Sequence, residues 1–297
     1  MNHPRISIIT PNFNGETYLE ETIQSVLSQD YPNLEYIIID GGSTDNSVSI
    51  IKKYESQLAY WISEPDKGLY DAVQKGFDQS TGEIMAWINS DDLYHPKAFF
   101  SIAEIFKFNE VNWLQGIPST FDEMGRTVDV SGIKRWSKLD YYLGNFEWIQ
   151  QESVFWRRSL WEKSGSKIDV EMKYAGDLEL WLRFFRYEKL FVTSALLGGF
   201  RQRAKGQLSL EFLDQYMEEA RTKIKEELEC NLPKEEQDLV RKIKKYNATI
   251  SKFHFVFIKK IANKVYFKGI IKQKKHYFGY PSVITFDRLS QNFKINK

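Results

Sequence analysis

Short apolar segments alternate with helical patterns over the first third of the chain. Buried strands are predicted by β-branched and aromatic runs at residues 6–9, 34–39, 59–63 and 84–88. Apolar residues recur at helical spacing between them, over residues 16–28, 44–54 and 69–79. Ser43 or Thr44 is predicted to cap the second of these helices. Because strand and helix alternate three times, the pattern predicts an α/β fold with a parallel sheet flanked by helices.

The loops that follow the predicted strands carry polar residues that would meet at one edge of the sheet. They are Thr10 with Pro11, Asp40, Asp66, and Asp91 with Asp92. In an open α/β sheet, ligands bind in the crevice beyond the carboxyl ends of the strands. Two adjacent carboxylates repel each other, so the last pair is costly unless water or a cation offsets the charge. A turn that caps the next helix would explain the pair equally well.

Two common phosphate-binding patterns are missing from the sequence. The glycine-rich turn at residues 40–42 lacks the G-x-G-x-x-G pattern of dinucleotide-binding folds, and G-x-x-x-x-G-K-[ST] does not occur. A crevice lined with carboxylates binds a phosphorylated ligand only when a divalent cation or basic groups offset the repulsion. Asp91 and Asp92 are the natural place for that cation, and Mg²⁺ or Mn²⁺ are the candidates that prefer oxygen ligands.

Composition narrows the class of protein. Of 297 residues 42% are hydrophobic and 15% aromatic, which is enough for a substantial core. A formal charge of +1 gives no reason to expect a polyanionic partner for the whole chain. A single cysteine, Cys230, excludes an intramolecular disulfide and a cysteine-cluster zinc site. With no signal peptide and no long apolar run, the protein is predicted to be made and kept in the cytoplasm.

Four motifs in order carry a resemblance to a known family. They are residues 11–14 (PNFN), 39–45 (IDGGSTD), 66–72 (DKGLYDA) and 89–92 (NSDD). Together they resemble the family 2 inverting glycosyltransferases, which have the GT-A fold and use nucleotide sugars. The resemblance covers about residues 5–203. It implies a Rossmann-like mixed sheet flanked by helices, with a C-terminal helical appendage.

The resemblance implies roles for residues at the strand ends. Thr10 and Pro11 would lie along the nucleoside, and Asp66 would line the nucleotide pocket. Asp40 would accept a hydrogen bond from the base, usually uracil, whose imide N–H is also present in thymine but not in cytosine. Asp92 would bind the metal on the diphosphate, and Asp91 would contact the ribose or the sugar. The predicted nucleotide-sugar site also includes three residues of the same motifs, Asn14, Lys67 and Gly68.

A later motif supplies a candidate general base. Residues 174–184 resemble the family segment in which an acid lies at the start of a helix, and here that acid is Asp177. It would take the proton from the acceptor hydroxyl. A simple helix cap is the alternative. Family members often have a second acid before this aspartate, whereas this chain has Gly176.

Two further segments bear on ligand binding. Residues 148–158 predict a strand whose polar and aromatic side chains either bind a sugar or form one wet face of an amphipathic strand. Residues 200–209 resemble the closing segment of the family but lack the histidine that many relatives have there. Arg201, Arg203 or Lys205 would contact the diphosphate instead, which makes the metal a prediction that needs its own test.

The chain is predicted to change character near residue 210. We expect a glycosyltransferase domain at residues 1–209 and a basic helical region at residues 210–297. From residue 251 onward ten lysines and one arginine accompany a single acid, and residues 258–268 have one apolar and one lysine-rich helical face. This pattern predicts either contact with an anionic membrane surface or a helix packed on the catalytic domain. Nucleic acid is not an expected partner, because no recognisable module accompanies the charge.

The sequence thus predicts an inverting glycosyltransferase with Mg²⁺ or Mn²⁺ as cofactor. The expected donor is a UDP-sugar or a dTDP-sugar, and the expected acceptor is a saccharide, free or linked to lipid. The protein would act in the cytoplasm, with peripheral contact to the inner face of the membrane as an additional expectation. The alternative from a different class is a non-catalytic sugar-nucleotide-binding or membrane-surface adaptor built on the same fold.

Overall fold

A nine-stranded mixed sheet with helices on both faces forms the centre of the protein. The computed structural model describes residues 3–144, 149–204, 206–207, 211–251 and 279–296. The helices are α1 (Leu19–Leu27), α2 (Ser47–Lys53), α3 (Leu69–Gln79), α4 (Ala98–Ile105), α5 (Lys138–Tyr142), α6 (Arg158–Lys163), α7 (Gly176–Phe185), α8 (Leu213–Glu226) and α9 (Lys234–Ser251).

The strands fall into this sheet and a smaller one beside it. The strands are β1 (Ile6–Asn12), β2 (Leu34–Asp40), β3 (Tyr60–Ser63), β4 (Ile84–Trp87), β5 (Leu93–Tyr94), β6 (Trp113–Gln115), β7 (Ser119–Phe121), β8 (Thr127–Val130), β9 (Val154–Arg157), β10 (Phe191–Thr193), β11 (Gly198–Arg201), β12 (Val283–Asp287) and β13 (Asn292–Ile295). The order is β13-β12-β10-β6-β9-β4-β1-β2-β3 in the large sheet and β5-β11-β7-β8 in the small one.

The first four strands of the large sheet are parallel, as the alternation of strand and helix predicts. The antiparallel strand β9 lies between β4 and β6 and makes the sheet mixed. At the carboxyl edge, Asn12, Asp40 and Ser63 lie in register on neighbouring strands. Residues in register point to the same face, so these three side chains meet. The predicted fold class is confirmed.

Two local predictions differ from the structure. Strand β1 runs on to Asn12, so Thr10 and Pro11 belong to the strand and not to the loop after it. Pairing of β1 with β4 ends at Ile9, so Pro11 has a strand neighbour on one side only, where its missing N–H is tolerated. Helix α2 begins at Ser47, beyond the predicted caps, because the Ser43 hydroxyl bonds to a strand-end carboxylate instead.

A cluster of tryptophans on one face of the sheet supports α7. Trp181 of α7 stacks on Trp87 of β4, with ring centroids 5.8 Å apart and planes inclined by 16°. The rings of Trp113 and Trp156 also pack against the Trp181 ring, with centroid distances of 5.4 and 5.8 Å. All four side chains are almost fully buried. Trp181 follows Asp177 by one helical turn, so this packing fixes the start of α7 relative to the sheet.

The chain beyond residue 210 packs on the same core and extends the same sheet. Ala220 and Ile224 of α8 and Val240 and Ile243 of α9 are buried in the tryptophan-containing core cluster. Strand β12 pairs with β10, and β13 pairs with β12, so residues 279–296 contain a hairpin and not a helix. The division at residue 209 stays a prediction. The amphipathic segment at residues 258–268 lies outside the described residues.

Among the described residues, no helix is both long enough and apolar enough to span a membrane.

Candidate active site

Asp40 lies at the centre of a hydrogen-bond network at the edge of the sheet. Its side chain is fully buried. Oδ1 accepts from the Asn12 amide at 2.6 Å and the Ser43 hydroxyl at 2.5 Å, and Oδ2 accepts from the Ser43 N–H at 2.9 Å and the Ser63 hydroxyl at 2.6 Å. Burial alone would raise the pKa of Asp40, but these donors lower it below the usual value. A nucleobase would therefore have to replace one of these donors.

The other residues of β1 and the loop after it that were predicted to bind the nucleotide differ in how exposed they are. The Thr10 hydroxyl lies 3.0 Å from that of Tyr36, and the whole residue is fully buried, so Thr10 presents no accessible group to a ligand. Pro11 is also buried. Asn14 is exposed at a positive φ of 50°, and its amide oxygen accepts from the Thr44 N–H at 2.9 Å. Asn14 therefore ties together the loops after β1 and β2.

The loop between β3 and α3 lies against the loop after β2. Asp66 accepts from the Gly68 N–H at 2.8 Å, and Gly68 has a φ of 122° that suits only glycine. A Cβ at Gly41 would lie 2.6 Å from the Asp66 carboxylate, so the two loops are in direct contact. Burial raises the pKa of Asp66. Lys67 is exposed at the tip of the same loop.

Asp92 faces a second buried carboxyl that the sequence did not single out. Asp92 Oδ1 accepts from the Arg201 N–H at 2.7 Å, and Oδ2 accepts from the Asn89 amide at 3.1 Å. The buried Glu152 carboxyl lies close to that of Asp92, so the ionisation of each depends on the other. Burial, then the charges of Glu152 and Asp91, raise the pKa of Asp92 well above its usual value. Burial raises the pKa of Glu152 to about 7.

Arg201 is a fully buried residue that holds three segments together. Its Nε donates to the Asp91 carbonyl at 2.6 Å, Nη1 donates to the Glu123 carbonyl at 2.9 Å, and Nη2 pairs with Glu21 at 2.6 Å. The guanidinium also lies 4.6 Å from the centre of the Tyr18 ring. The predicted contact between Arg201 and the diphosphate would have to break bonds in this set.

Arg203 is the more accessible of the two predicted arginines. Its Nη2 lies 3.1 Å from the Asp91 carboxylate, and both side chains are about one quarter exposed. Its Nε is buried without a hydrogen-bond partner among the described residues. Burial raises the pKa of Asp91, and the Arg203 charge opposes that rise. Arg203 is thus a cation beside Asp91, with one N–H group that makes no hydrogen bond among the described residues.

Asp91, Asp92 and Glu152 form an acidic cluster, which has the chemistry that a divalent cation requires. These three residues supply only oxygen donors, and the Asn89 amide oxygen is buried without a partner among the described residues. In that same part of the chain, no three His, Cys, Asp or Glu side chains are placed to hold a metal by themselves. Mg²⁺ commonly uses one or two carboxylates and completes its shell with substrate phosphates and water. The residues therefore fit a cation that binds together with its ligand.

Asp177 lies in the first turn of α7 and is half-buried. Its Oδ1 is buried without a hydrogen-bond partner among the described residues. Burial raises the pKa of Asp177 to about 6, which backbone N–H groups at the helix start partly oppose. After burial, the charge of Asp177 also contributes to raising the pKa of Glu152. A carboxylate of raised pKa, with one oxygen that has no partner among the described residues, is suited to accept a proton.

Gly176 stands where relatives often have a second acid, and the structure gives a reason. A Cβ at Gly176 would lie 2.8 Å from the Tyr70 ring. Tyr70 is itself fixed, because its hydroxyl donates to the Tyr174 carbonyl at 2.8 Å. A longer side chain at position 176 would displace this ring. Of the two acids in the first turn of α7, Glu179 forms an ion pair within the helix at 2.8 Å, which leaves Asp177 as the candidate base.

The polar stretch before β9 turns inward. The Gln150 side chain pairs with both backbone groups of Ser119 at 2.9 and 2.8 Å, and the Gln151 amide donates to the Trp87 carbonyl at 2.6 Å. A predicted wet face is therefore absent over residues 150–153, which are buried or half-buried. Trp148 lies outside the described residues.

Comparison with known proteins decides the family. The model of glycosyl transferase family 2 matches residues 7–163, more than half of the chain. The chain belongs to this family. A glycosyltransferase of Rickettsia typhi, itself uncharacterized, is 27% identical over 65% of this chain and 63% of its own length. Another, from Nostoc sp., is 33% identical over 42% of this chain and 40% of its own length. The chain thus spans less than two thirds of these relatives.

Solved glycosyltransferases share the fold. TarS of Staphylococcus aureus, solved with UDP-GlcNAc, superposes with a TM-score of 0.64 at 21% identity, over 80% of this chain and 70% of that one. The mannosyltransferase PcManGT of Pyrobaculum calidifontis, solved with GDP-Man and Mn²⁺, gives 0.61 at 14% identity, over 93% and 84%. These are GT-A-type enzymes, so the predicted fold and family are both confirmed.

Sequence reasoning missed two residues of this glycosyltransferase site. Glu152 was one of many polar residues in a predicted strand, and its only signal was an acid followed by an apolar run. Tyr70 lay within a recognised motif, but a tyrosine on a helix is usually a core residue. Their roles depend on contacts with Asp92 and with the loop before α7, which the order of residues does not reveal.

Proposed function

We propose that this family 2 glycosyltransferase is an inverting enzyme with Asp177 as its general base. The donor would be a UDP-sugar or a dTDP-sugar, and the acceptor a free or lipid-linked saccharide. The observation that carries the proposal is the half-buried carboxylate of Asp177, one oxygen of which has no hydrogen-bond partner among the described residues and whose pKa burial raises to about 6. Its charge also acts on Glu152 of the acidic cluster, which supports a common site at the carboxyl ends of the strands.

The proposed reaction is a single displacement. Asp177 accepts the proton of an acceptor hydroxyl while that oxygen attacks the anomeric carbon of the donor sugar. The bond between the anomeric carbon and the diphosphate oxygen breaks, and its electron pair leaves with the nucleoside diphosphate. Attack opposite the leaving group inverts the configuration at that carbon. The protonated Asp177 then returns its proton to water.

The donor would lie along the loops at the carboxyl edge of the sheet. The contact between Gly41 and Asp66 would form the nucleoside end, with the buried Thr10 and Pro11 in the adjoining strand. Arg203, whose side chain is about one quarter exposed, would bind the diphosphate beside Asp91. We assign Arg201 a positioning role, because its guanidinium is buried and bonded to protein groups.

Asp92 would hold Mg²⁺ or Mn²⁺, with Asn89 and Glu152 beside it. When bound, the cation would neutralise the diphosphate and make it a better leaving group. Two observations support this arrangement. The donor set contains only oxygen, and burial together with the charges of Glu152 and Asp91 raises the pKa of Asp92. The cation would belong to the enzyme–donor complex, since the protein alone supplies few ligands.

The test has two stages. A panel of nucleotide sugars is first screened by thermal shift with and without Mn²⁺, which identifies the donor class. Transfer by wild type, Asp177→Asn and the control Asp129→Asn, which changes an exposed acid in β8, is then measured with that donor. We expect Asp177→Asn to bind donor normally and to lose transfer by about 100-fold or more. Transfer that survives the substitution excludes this base, and a wild type that transfers no donor supports a non-catalytic binding protein.

A further inference from the structure

Helix α8 lies outside residues 7–163, which match the family model, but its Glu219 accepts hydrogen bonds from the loop before α7. Glu219 Oε2 accepts from the N–H groups of Tyr174 and Ala175, both at 2.9 Å. Glu219 Oε1 accepts from the Lys173 N–H at 3.2 Å. Three consecutive backbone donors thus converge on one carboxylate. Hydrogen bonds to an ionised acceptor are stronger than neutral ones, so this contact fixes the course of the loop.

The loop that Glu219 holds leads directly into α7, the helix that carries Asp177. Ala175 is the residue before α7, and Asp177 follows in the first turn. The same loop is held from its other side, because Tyr70 donates to the Tyr174 carbonyl at 2.8 Å. The Tyr174 ring also stacks on Phe212, just before α8, with ring centroids 5.2 Å apart. The position of Asp177 therefore depends on contacts from both α3 and α8.

The charge of Asp177 also acts on a second residue of α8, Tyr216. Burial, followed by the charge of Asp177, raises the pKa of Tyr216 well above its usual value. Tyr216 precedes Glu219 by three residues, so both lie on one face of the helix. That face continues into the core through Ala220 and Ile224, which are buried. Helix α8 is thus anchored in the core by the same face that carries Glu219.

We propose that Glu219 is a positioning residue for Asp177, and that α8 is part of the catalytic unit. This inference rests on the proposed function, because it takes Asp177 as the base. On this view the catalytic unit extends past residue 209. Displacing a reacting group by about 1 Å can cost about 100-fold in rate, so losing three bonds at the helix start should reduce turnover and leave donor binding intact.

The experiment compares Glu219→Ala and Glu219→Gln with the matched control Glu218→Ala, which changes the exposed acid beside it on α8. Measurements are kcat and KM for the acceptor, donor Kd by calorimetry, and hydrogen exchange at the amides of residues 173–175. We expect Glu219→Ala to lower kcat about 10- to 100-fold and to change donor Kd less than about twofold. Exchange at the three amides should be faster.

Glu219→Gln should fall between wild type and Glu219→Ala. Its amide oxygen can still accept from Tyr174 and Ala175, but its NH₂ group cannot accept from Lys173. Glu218→Ala should behave as wild type. A graded series with constant donor Kd supports positioning, since a general loss of folded protein would weaken binding as well.

Failure of this inference differs from failure of the proposed function. If Glu219→Ala and Glu219→Gln transfer at the wild-type rate while Asp177→Asn is inactive, the positioning role is wrong and the base assignment stands. If Asp177→Asn is active, the base assignment itself is wrong. If Glu219→Ala does not fold, Glu219→Gln decides: unchanged kcat with unchanged amide exchange overturns the inference, and reduced kcat with faster exchange at residues 173–175 supports it.

Discussion

Replacing Asp177 by asparagine should make the folded protein more stable at neutral pH while it removes transfer. Burial raises the pKa of Asp177 from its ordinary value of 3.8 to about 6. The folded state therefore holds this proton more tightly than the unfolded state does. Stability falls as the pH rises through the window between these two values, and the loss stays constant above it. Asparagine has nearly the same shape and no charge, so it avoids the loss.

The structure sets the size of this effect. A rise in pKa from 3.8 to about 6 corresponds to about 3 kcal/mol, at 1.36 kcal/mol per tenfold change in proton affinity. Because part of the side chain reaches solvent, screening reduces that value, and we expect on the order of 1–3 kcal/mol above about pH 7. Below about pH 3 the carboxyl is protonated in both states, and the difference between the two proteins should vanish.

Urea unfolding of wild type and Asp177→Asn across this pH range measures the difference directly. The exposed control Asp129→Asn should show no such pH dependence. The reasoning is refuted if Asp177→Asn is less stable than wild type above pH 7, or if the difference between the two proteins is the same on both sides of the window. Stabilisation together with lost transfer would mark Asp177 as a residue kept for function at a cost in stability.

Three further changes test the site. Gly176→Ala places a Cβ 2.8 Å from the Tyr70 ring. We expect this to lower the free energy of unfolding by about 1–3 kcal/mol and to lower kcat, and an unchanged melting temperature would contradict the expectation. Arg203→Met removes the charge beside Asp91 and should weaken donor binding about 10-fold by calorimetry; equal affinity would exclude a diphosphate contact. EDTA and Asp92→Asn should each weaken UDP binding about 10-fold or more, and unchanged Kd after EDTA treatment would reject the metal.

The strand ends were predictable because their signals are local. Alternation of apolar runs with helical periods predicted the parallel part of the sheet, and the carboxyl ends of parallel strands necessarily share an edge. The same argument predicted that Asp40, Asp66 and Asp91 lie along that edge. The resemblance to the family then added Asp177 from a motif far along the chain.

The accessibility of individual side chains was not predictable. Arg201 and Arg203 stand two residues apart and look alike in the sequence. In the fold, Arg201 is fully buried and bonded to Asp91, Glu21 and Glu123, whereas the Arg203 side chain is about one quarter exposed beside Asp91. Only the path of β11 past neighbouring loops separates a structural arginine from one that a ligand can reach.

Sequence by itself determined the order of the strands along the chain, the chemistry at their ends and the family. Tertiary structure decided which groups meet. Glu152 reaches Asp92 because an antiparallel strand inserts between β4 and β6, and Glu219 reaches the loop before Asp177 because α8 packs into the same core. Both contacts join residues far apart in the chain, and local patterns of polarity do not predict such pairs. The physical reason is that they depend on how separate elements pack.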